Sequence, residues 1–174
     1  MTSLNSSAAV AARPADSDVL EHNKGLIRRM VDEFVCKGNV AVLAEVCSPT
    51  YRFWPVVYTA PEDRDGHARD NAATLHTIFP DLTATIEQQV AEGDWVATFH
   101  TLRGTHLAPM PTPLGTIPAT GKKLEWKTMS FHRIENGKVA EGWLSYNPTS
   151  ILQQVGRLDF WPGDPGARGK TAEV

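Results

Sequence analysis

The stretch from Trp126 to Gln154 restricts the fold of this chain most, because Asn136-Gly137 stands there between two strand-like runs. Asn-Gly is the strongest short-range signal for a β-hairpin, since both central residues of such a turn take positive φ. The pattern after the second strand predicts a short helix from about Thr149 to Val155. We therefore expect an antiparallel hairpin that leads directly into a helix.

The second strand of this hairpin carries a row of polar and aromatic side chains on one face. Because strand side chains alternate with period two, the row consists of Glu141, Trp143, Ser145 and Asn147. Two interpretations stay open: the row lines a wet pocket, or it faces solvent. A carboxyl group in an apolar pocket can act as acid or base near neutral pH, which makes Glu141 a candidate proton carrier. In solvent, Glu141 would instead pair with Lys138 or Arg133 near the turn.

Hydrophobic periodicity and turn residues predict the remaining elements. The expected helices run from a cap at Ser17 or Asp18 to Gly38, over Val40–Val46 and over His67–Ile78, and the expected strands cover Tyr51–Tyr58, Leu82–Ala91 and Trp95–Thr105. Pro55 lacks an N–H group, which places its strand at a sheet edge or marks a bulge. The Pro-, Thr- and Gly-rich segment 107–120 is long for a loop in a compact domain, so we expect a lid or an oligomer contact there.

The predicted order of elements, ααβαββββα, is typical of an α+β domain. Such a domain has a curved, mainly antiparallel sheet with helices across one face. We expect residues 18–156 to form one domain of this kind. Residues 1–17 and 157–174 lack periodicity and are predicted to be tails.

Composition excludes several classes of function. The net charge of −3 and the absence of basic runs argue against nucleic acid or an anionic membrane as partner. No apolar run has the length of a membrane span, and the N-terminus lacks the features of a secretory signal, so a cytoplasmic location is expected. Cys36 and Cys47 show no CxxC or Cys/His ligand spacing, so we expect reduced thiols and no metal site.

Histidines and tyrosines are further candidates for proton transfer, because unperturbed histidine titrates close to neutral pH. The candidates are His100, His106, Tyr51 and Tyr58. Alternation along the 95–106 strand separates His100 and His106 from Phe99, so the two sets face opposite sides unless a bulge reverses them. His132 is a weaker candidate that we expect to face solvent near the hairpin turn, and we expect His67 and His76 at the surface or in helix caps.

Several segments, in this order, resemble the SnoaL-like polyketide (ester) cyclases of the NTF2-like superfamily. They are GNVAVLAEVCSPTY, FPDLTATIEQQVAEGDWVATFHTLRGTH, ATGKKLEW, RIENGKVAEGW and ILQQVG, all within residues 20–156. The resemblance implies a cone-shaped α+β barrel with three helices over the concave face of the sheet and a deep pocket between them. It also implies a homodimer or homotetramer, and reactions that need neither metal nor organic cofactor.

The resemblance also implies which residues form the pocket. It favours the face with Phe99 as the pocket side and moves His100 towards the outer face. The expected substrate-binding residues are Trp54, Phe34, Tyr51, Phe99, Met129 and Trp143. At position 147 the family carries an aspartate as general acid/base, where this chain has Asn147, whose amide cannot exchange a proton. At position 99, where an arginine is common, it has Phe99.

Two hypotheses for the function follow. The first is an enzyme of secondary metabolism, a cyclase or isomerase that acts on a hydrophobic polyketide- or isoprenoid-like substrate. In it Glu141 and a histidine would move protons, and a tyrosine or Asn147 would orient the reacting oxygen. The second is a non-catalytic ligand-binding or assembly protein, which would be consistent with the missing aspartate.

Overall fold

The structure is a computed structural model, and it describes residues 17–55, 60–112 and 115–157. The first helix, α1 (Ser17–Arg29), continues into a π-helical segment (Met30–Cys36) and is followed by α2 (Val42–Val46). The next helix, α3 (Arg64–Asp70), continues through a second π-helical segment (Asn71–Leu75) into α4 (His76–Ile78). The last helix is α5 (Pro148–Gln154). The strands are β1 (Cys47–Trp54), β2 (Thr83–Glu92), β3 (Trp95–Thr105), β4 (Met110–Thr112), β5 (Gly115–Ile117), β6 (Lys123–Glu135) and β7 (Lys138–Tyr146).

Five strands form one curved sheet in the order β1-β7-β6-β3-β2. Neighbouring strands are antiparallel except for β1, which runs parallel to β7 at one edge. The position of β1 agrees with Pro55 directly after it, because an edge strand tolerates the loss of an N–H donor. The α+β fold with a mainly antiparallel sheet is thus confirmed, and the sheet is open rather than closed into a barrel.

The turn at Asn136-Gly137 joins β6 to β7 as the sequence predicts. Asn136 has φ 51° and Gly137 has φ 72°, the left-handed values that a two-residue hairpin turn needs. The segment 107–120 is not wholly irregular, since β4 and β5 form a separate two-stranded sheet within it. Among the described helices, none is long and apolar enough to cross a membrane.

The helical layer packs its apolar side onto one face of the sheet. Ile27, Met30 and Phe34 are buried there together with Val42 and Tyr51. A second buried cluster, which includes Phe79, Leu102, Trp126 and Ile151, lies towards the other end of the sheet. Buried apolar area is the main stabilising contribution in such a layered domain. Residues of both clusters border the cavity that forms the candidate site.

Candidate functional site

The central strand β6 has polar side chains on its buried face and apolar ones on its exposed face. Thr128, Ser130 and His132 are at most 7% exposed, whereas Met129 is 60% and Phe131 46% exposed. We call the side towards the helices the inner face and the opposite side the outer face. The pattern on β6 is the reverse of the usual arrangement, in which apolar side chains point inward. The inner face therefore offers polar groups for a buried site.

The predicted polar row of β7 lies on the outer face, so its expected position in the pocket is wrong. Trp143 stands opposite Phe131, and Ser145 stands opposite Met129, in the β6–β7 register. The inner-face residues of β7 are Gly142, Leu144 and Tyr146, which pair with His132, Ser130 and Thr128. Because the side-chain period is two, an error of one residue in the assignment of faces moves every side chain to the other side.

Glu141 and Asn147 have structural partners instead of a place in the inner cavity. The Glu141 carboxylate accepts a hydrogen bond from Arg133 Nε at 2.7 Å, the alternative that the sequence left open. Asn147 is exposed and caps α5, where its Oδ1 accepts a hydrogen bond from the Thr149 N–H at 3.0 Å. A side chain that satisfies a helix N-terminus in this way supports folding rather than proton transfer.

The remaining aromatic candidates also lie away from the inner cavity. Trp54 stacks on Trp143 with ring centroids 4.8 Å apart, and both line an open groove of about 730 Å³ on the outer face, together with Phe99 and Met129. Their expected position on the wall between sheet and helices is wrong for the same reason of strand parity, whereas their contact with a substrate stays a prediction. The homodimer or homotetramer expected from the resemblance stays a prediction.

Three further candidates are fully buried but do not line the inner cavity. The ring of Phe34 packs edge-on against His67, and the Tyr51 hydroxyl lies 3.2 Å from His67 Nδ1, so both support the cavity wall from behind. His106 lies 3.0 Å from Thr120 Oγ1 beyond the end of β3, and burial lowers its pKa. Tyr58 lies outside the described residues.

The inner cavity lies between the inner face of the sheet and the helices and has a volume of about 310 Å³. Most of its wall is apolar, with Leu102, Trp126 and Phe79 among the lining residues. Of the predicted catalytic residues that the structure describes, only His100 belongs to this wall, with its ring on the inner face. A volume of this order fits a small organic ligand.

Two carboxyl groups meet at this cavity, those of Glu62 and Asp70. Burial, the charge of Asp70 and a hydrogen bond with Asp70 together raise the pKa of Glu62 from 4.5 to about 7. The backbone of Glu62 is held by two hydrogen bonds to Phe53, of 2.8 and 2.7 Å, so the carboxyl group starts from a fixed position. A carboxyl group that titrates near neutral pH is suited to general acid/base chemistry.

Three histidines line the same cavity: His67, His100 and His132. Burial lowers the pKa of His67 and of His132 to about 3, and it also lowers the pKa of His100. The His67 ring stacks on Phe53 at 3.8 Å between centroids. These rings are therefore neutral near pH 7 and can act as hydrogen-bond partners for a ligand.

Sequence patterns gave no signal for most of this site. Glu62 stands in the polar loop segment APEDRDG, where no periodicity indicates burial. His132 is buried although a surface position was expected, so that expectation is wrong; His67 is half-buried with its ring against Phe53. The alternation on β6, with Thr128, Ser130 and His132 in phase with Trp126, is the one sequence feature that could have indicated a polar inner wall.

The comparisons with known proteins agree with this architecture. Residues 25–155 match the family model for the SnoaL-like polyketide cyclases. The chain belongs to the SnoaL-like polyketide cyclase family. No protein with a curated description matches the chain.

Solved structures show the same fold for this SnoaL-like chain. IdmH from Streptomyces antibioticus, a candidate polyketide cyclase, is 27% identical with a TM-score of 0.65 and covers 77% of this chain and 98% of its own. A candidate SnoaL-like polyketide cyclase from Jannaschia sp. CCS1 is 23% identical with a TM-score of 0.72, over 82% and 97% of the two chains. TsrD from Streptomyces laurentii is 22% identical with a TM-score of 0.68, over 83% and 99%.

This SnoaL-like chain departs from its family at the position of the expected aspartate. Asn147 cannot transfer protons, and its amide is already engaged as the cap of α5. In the part of the chain that the structure describes, no group of three or more His, Cys, Asp or Glu residues is arranged to hold a metal ion. Among the described residues, the titratable groups that line the inner cavity are those of Glu62, Asp70, the three histidines and Tyr146.

Proposed function

We propose that this protein is a cyclase- or isomerase-type enzyme of secondary metabolism that acts on a hydrophobic, polyketide-like substrate in the inner cavity. Glu62 is the proton carrier, and Asp70 adjusts its proton affinity. The observation that carries this proposal is the pair of carboxyl groups on the wall of a mainly apolar cavity. Membership of the SnoaL-like polyketide cyclase family supports the reaction class.

The chemistry follows from the protonation of Glu62. In its ionised form the carboxylate takes a proton from a carbon next to a substrate carbonyl, and the C–H electron pair moves to that carbonyl oxygen as an enolate. In a cyclisation the enolate carbon attacks a second carbonyl of the same substrate, and the Glu62 carboxyl returns its proton to the new alkoxide. In an isomerisation the proton returns to a different carbon. Both sequences leave Glu62 ionised, as at the start.

The common first step can be tested without knowledge of the natural substrate. 2-Tetralone is a small bicyclic ketone, and deuterium exchange at its α-carbons in D₂O, followed by proton NMR, measures enolate formation directly. We expect the wild-type protein to accelerate this exchange above the buffer rate. Glu62→Gln keeps the size of the side chain but removes the exchangeable proton, so it should reduce the accelerated rate by about 10² or more.

Glu141→Gln is the matched control, because Glu141 lies on the outer face and pairs with Arg133. This variant should exchange 2-tetralone at the wild-type rate. A loss of exchange in Glu141→Gln together with full activity in Glu62→Gln would overturn the assignment. Binding of 2-tetralone without accelerated exchange by the wild-type protein would favour a ligand-binding protein instead.

A further inference from the structure

Four polar atoms on the wall of the inner cavity have no hydrogen-bond partner among the described residues. They are Asn71 Oδ1, His100 Nε2, Ser130 Oγ and His132 Nδ1. Each of these residues is at least nine-tenths buried, with exposures of 8%, 4%, 7% and 2% in the same order. An unpaired buried polar group lowers the stability of the folded protein by about 1–3 kcal/mol. Four such groups at one cavity therefore call for an explanation, and hydrogen bonds to a ligand would provide one.

Three of these atoms, those of His100, Ser130 and His132, belong to the neighbouring strands β3 and β6 on the inner face of the sheet. Ser130 and His132 are two residues apart on β6, which separates their Cα atoms by about 7 Å. His100, on β3, stands opposite Thr128, and its Nδ1 lies 3.2 Å from Thr128 Oγ1, whereas its Nε2 has no partner among the described residues. Asn71 comes from the helical wall opposite the sheet. A ligand in the cavity would therefore have polar groups on both sides.

Gly142 provides the space for one of these groups. A Cβ atom on Gly142 would come within 2.9 Å of His132 Cδ2 and 3.2 Å of His132 Nε2, which is closer than ordinary contact. The absence of a side chain at position 142 therefore allows the His132 ring to lie over the backbone of β7. The orientation of His132 Nδ1 depends on this neighbour.

The charges of the wall restrict the ligand further. Of the described residues that line the inner cavity, none is lysine or arginine, whereas Glu62 and Asp70 both belong to the wall. A carboxylate or phosphate on the ligand would meet these carboxyl groups without a cation to balance it. The neutral histidines, the serine hydroxyl and the asparagine carbonyl suit hydroxyl and carbonyl groups.

We propose that Asn71, His100, Ser130 and His132 form a subsite that binds hydroxyl and carbonyl oxygens of an uncharged ring ligand. The apolar wall holds the body of the ligand, and the subsite fixes which edge carries the oxygens. This inference rests on the proposed function insofar as the ligand is the substrate. Its test uses binding alone and does not depend on turnover.

The test is the affinity of a fixed probe, 1,8-dihydroxyanthraquinone, measured by isothermal titration calorimetry. Ser130→Ala removes one unpaired hydroxyl with little change in volume. We expect it to weaken binding by roughly three- to tenfold, and to leave the midpoint of thermal unfolding of the free protein unchanged or higher. A residue kept only for folding would show the opposite: wild-type affinity and a lower midpoint. That result would overturn the proposal.

Thr98→Val is the matched control on the neighbouring strand. Thr98 stands opposite Ser130 and is equally buried, but its Oγ1 accepts a hydrogen bond from Gln89 Nε2 at 3.2 Å. This variant should lower the unfolding midpoint and leave the affinity for the probe unchanged. Met129→Gln tests binding in the outer groove and should also leave the affinity unchanged; a large loss in Met129→Gln with none in Ser130→Ala would contradict the subsite.

The 3-carboxylated form of the same probe tests the charge of the ligand. Because Glu62 and Asp70 face the cavity, it should bind at least about tenfold more weakly than the uncharged probe. Equal or tighter binding of the carboxylated probe would overturn the preference for an uncharged ligand. Glu62→Gln should still bind the uncharged probe, so loss of turnover and loss of binding are separate outcomes.

Discussion

The carboxyl groups of Glu62 and Asp70 share a hydrogen bond at the wall of the inner cavity. Burial, the charge of Asp70 and this hydrogen bond all raise the pKa of Glu62, since each of them favours the protonated carboxyl group. Glu62 comes from the loop after β1, whereas the family aspartate would stand at the start of α5. The proton carrier proposed for this SnoaL-like chain thus comes from a different element than the aspartate expected from the resemblance.

Gly142→Ala should destabilise the protein and disturb His132. The added Cβ would meet both His132 and Phe53 Cδ2, the latter at 3.2 Å, and the surrounding sheet leaves little room for adjustment. Overpacking of this kind lowers the free energy of unfolding by about 1–3 kcal/mol. Urea denaturation measures this loss, and histidine NMR resonances report the displaced ring.

Gly25→Ala is the control for this substitution. Gly25 lies within α1, and a Cβ atom there would have open space around it. Alanine is the better helix former, so this variant should gain about 0.5–1 kcal/mol. If Gly142→Ala were as stable as Gly25→Ala, the close approach of His132 to β7 would be refuted.

Acid should destabilise the folded protein through its buried histidines. The pKa values of His67 and His132 are lowered from 6.5 to about 3, so both rings stay neutral in the folded protein while the unfolded chain takes up protons below about pH 6.5. The free energy of unfolding therefore falls as the pH decreases through this window, by up to about 1.4 kcal/mol per pH unit for each ring.

Glu62 acts in the opposite direction, because its pKa is raised from 4.5 to about 7. It takes up a proton in the folded protein first and so adds stability as the pH falls from 7 to 4.5, which offsets part of the loss. Urea midpoints at pH 7.5, 6 and 5 measure the sum. We expect them to fall, and to fall less steeply in His132→Phe. Midpoints that rise towards pH 5 would contradict the burial of two neutral histidines.

Asn147 should matter for stability and not for proton transfer. Asn147→Ala removes the cap of α5 and should cost about 1 kcal/mol in the free energy of unfolding. Asn147→Asp restores the family residue and retains the cap, because an aspartate oxygen also accepts a hydrogen bond from the Thr149 N–H. It should leave stability and 2-tetralone exchange near the wild-type values. Faster exchange in Asn147→Asp would show that position 147 still has access to the reaction.

The sequence predicts the backbone of this protein better than the direction of its side chains. Asn136-Gly137 and Pro55 determine local backbone geometry, and both predictions agree with the hairpin turn and the edge strand. The faces of β6 and β7 could not be predicted from polarity. Met129 and Phe131 are exposed in the outer groove, while Ser130 and His132 are buried at the inner cavity. This is the reverse of the usual strand pattern, in which apolar side chains point inward and polar ones outward.

The position of the proton carrier depends on contacts between distant parts of the chain. Glu62 reaches the cavity because its backbone pairs with Phe53 as an isolated β-bridge, and Asp70 reaches it from the end of α3. Neither contact leaves a periodic pattern in the sequence. The resemblance to the family points to position 147, where this chain has asparagine, and not to the loop with Glu62, which reaches the cavity only in the folded chain.

The most direct test of Glu62 as the proton carrier is the pH dependence of 2-tetralone exchange. If ionised Glu62 is the base, the exchange rate should rise with pH, with a midpoint at about pH 7, and reach a plateau at higher pH. Asp70→Asn removes the neighbouring negative charge, so the midpoint should move to lower pH in this variant while exchange persists. A midpoint that is the same in the wild-type protein and in Asp70→Asn, or a profile that survives in Glu62→Gln, would contradict the assignment of Glu62.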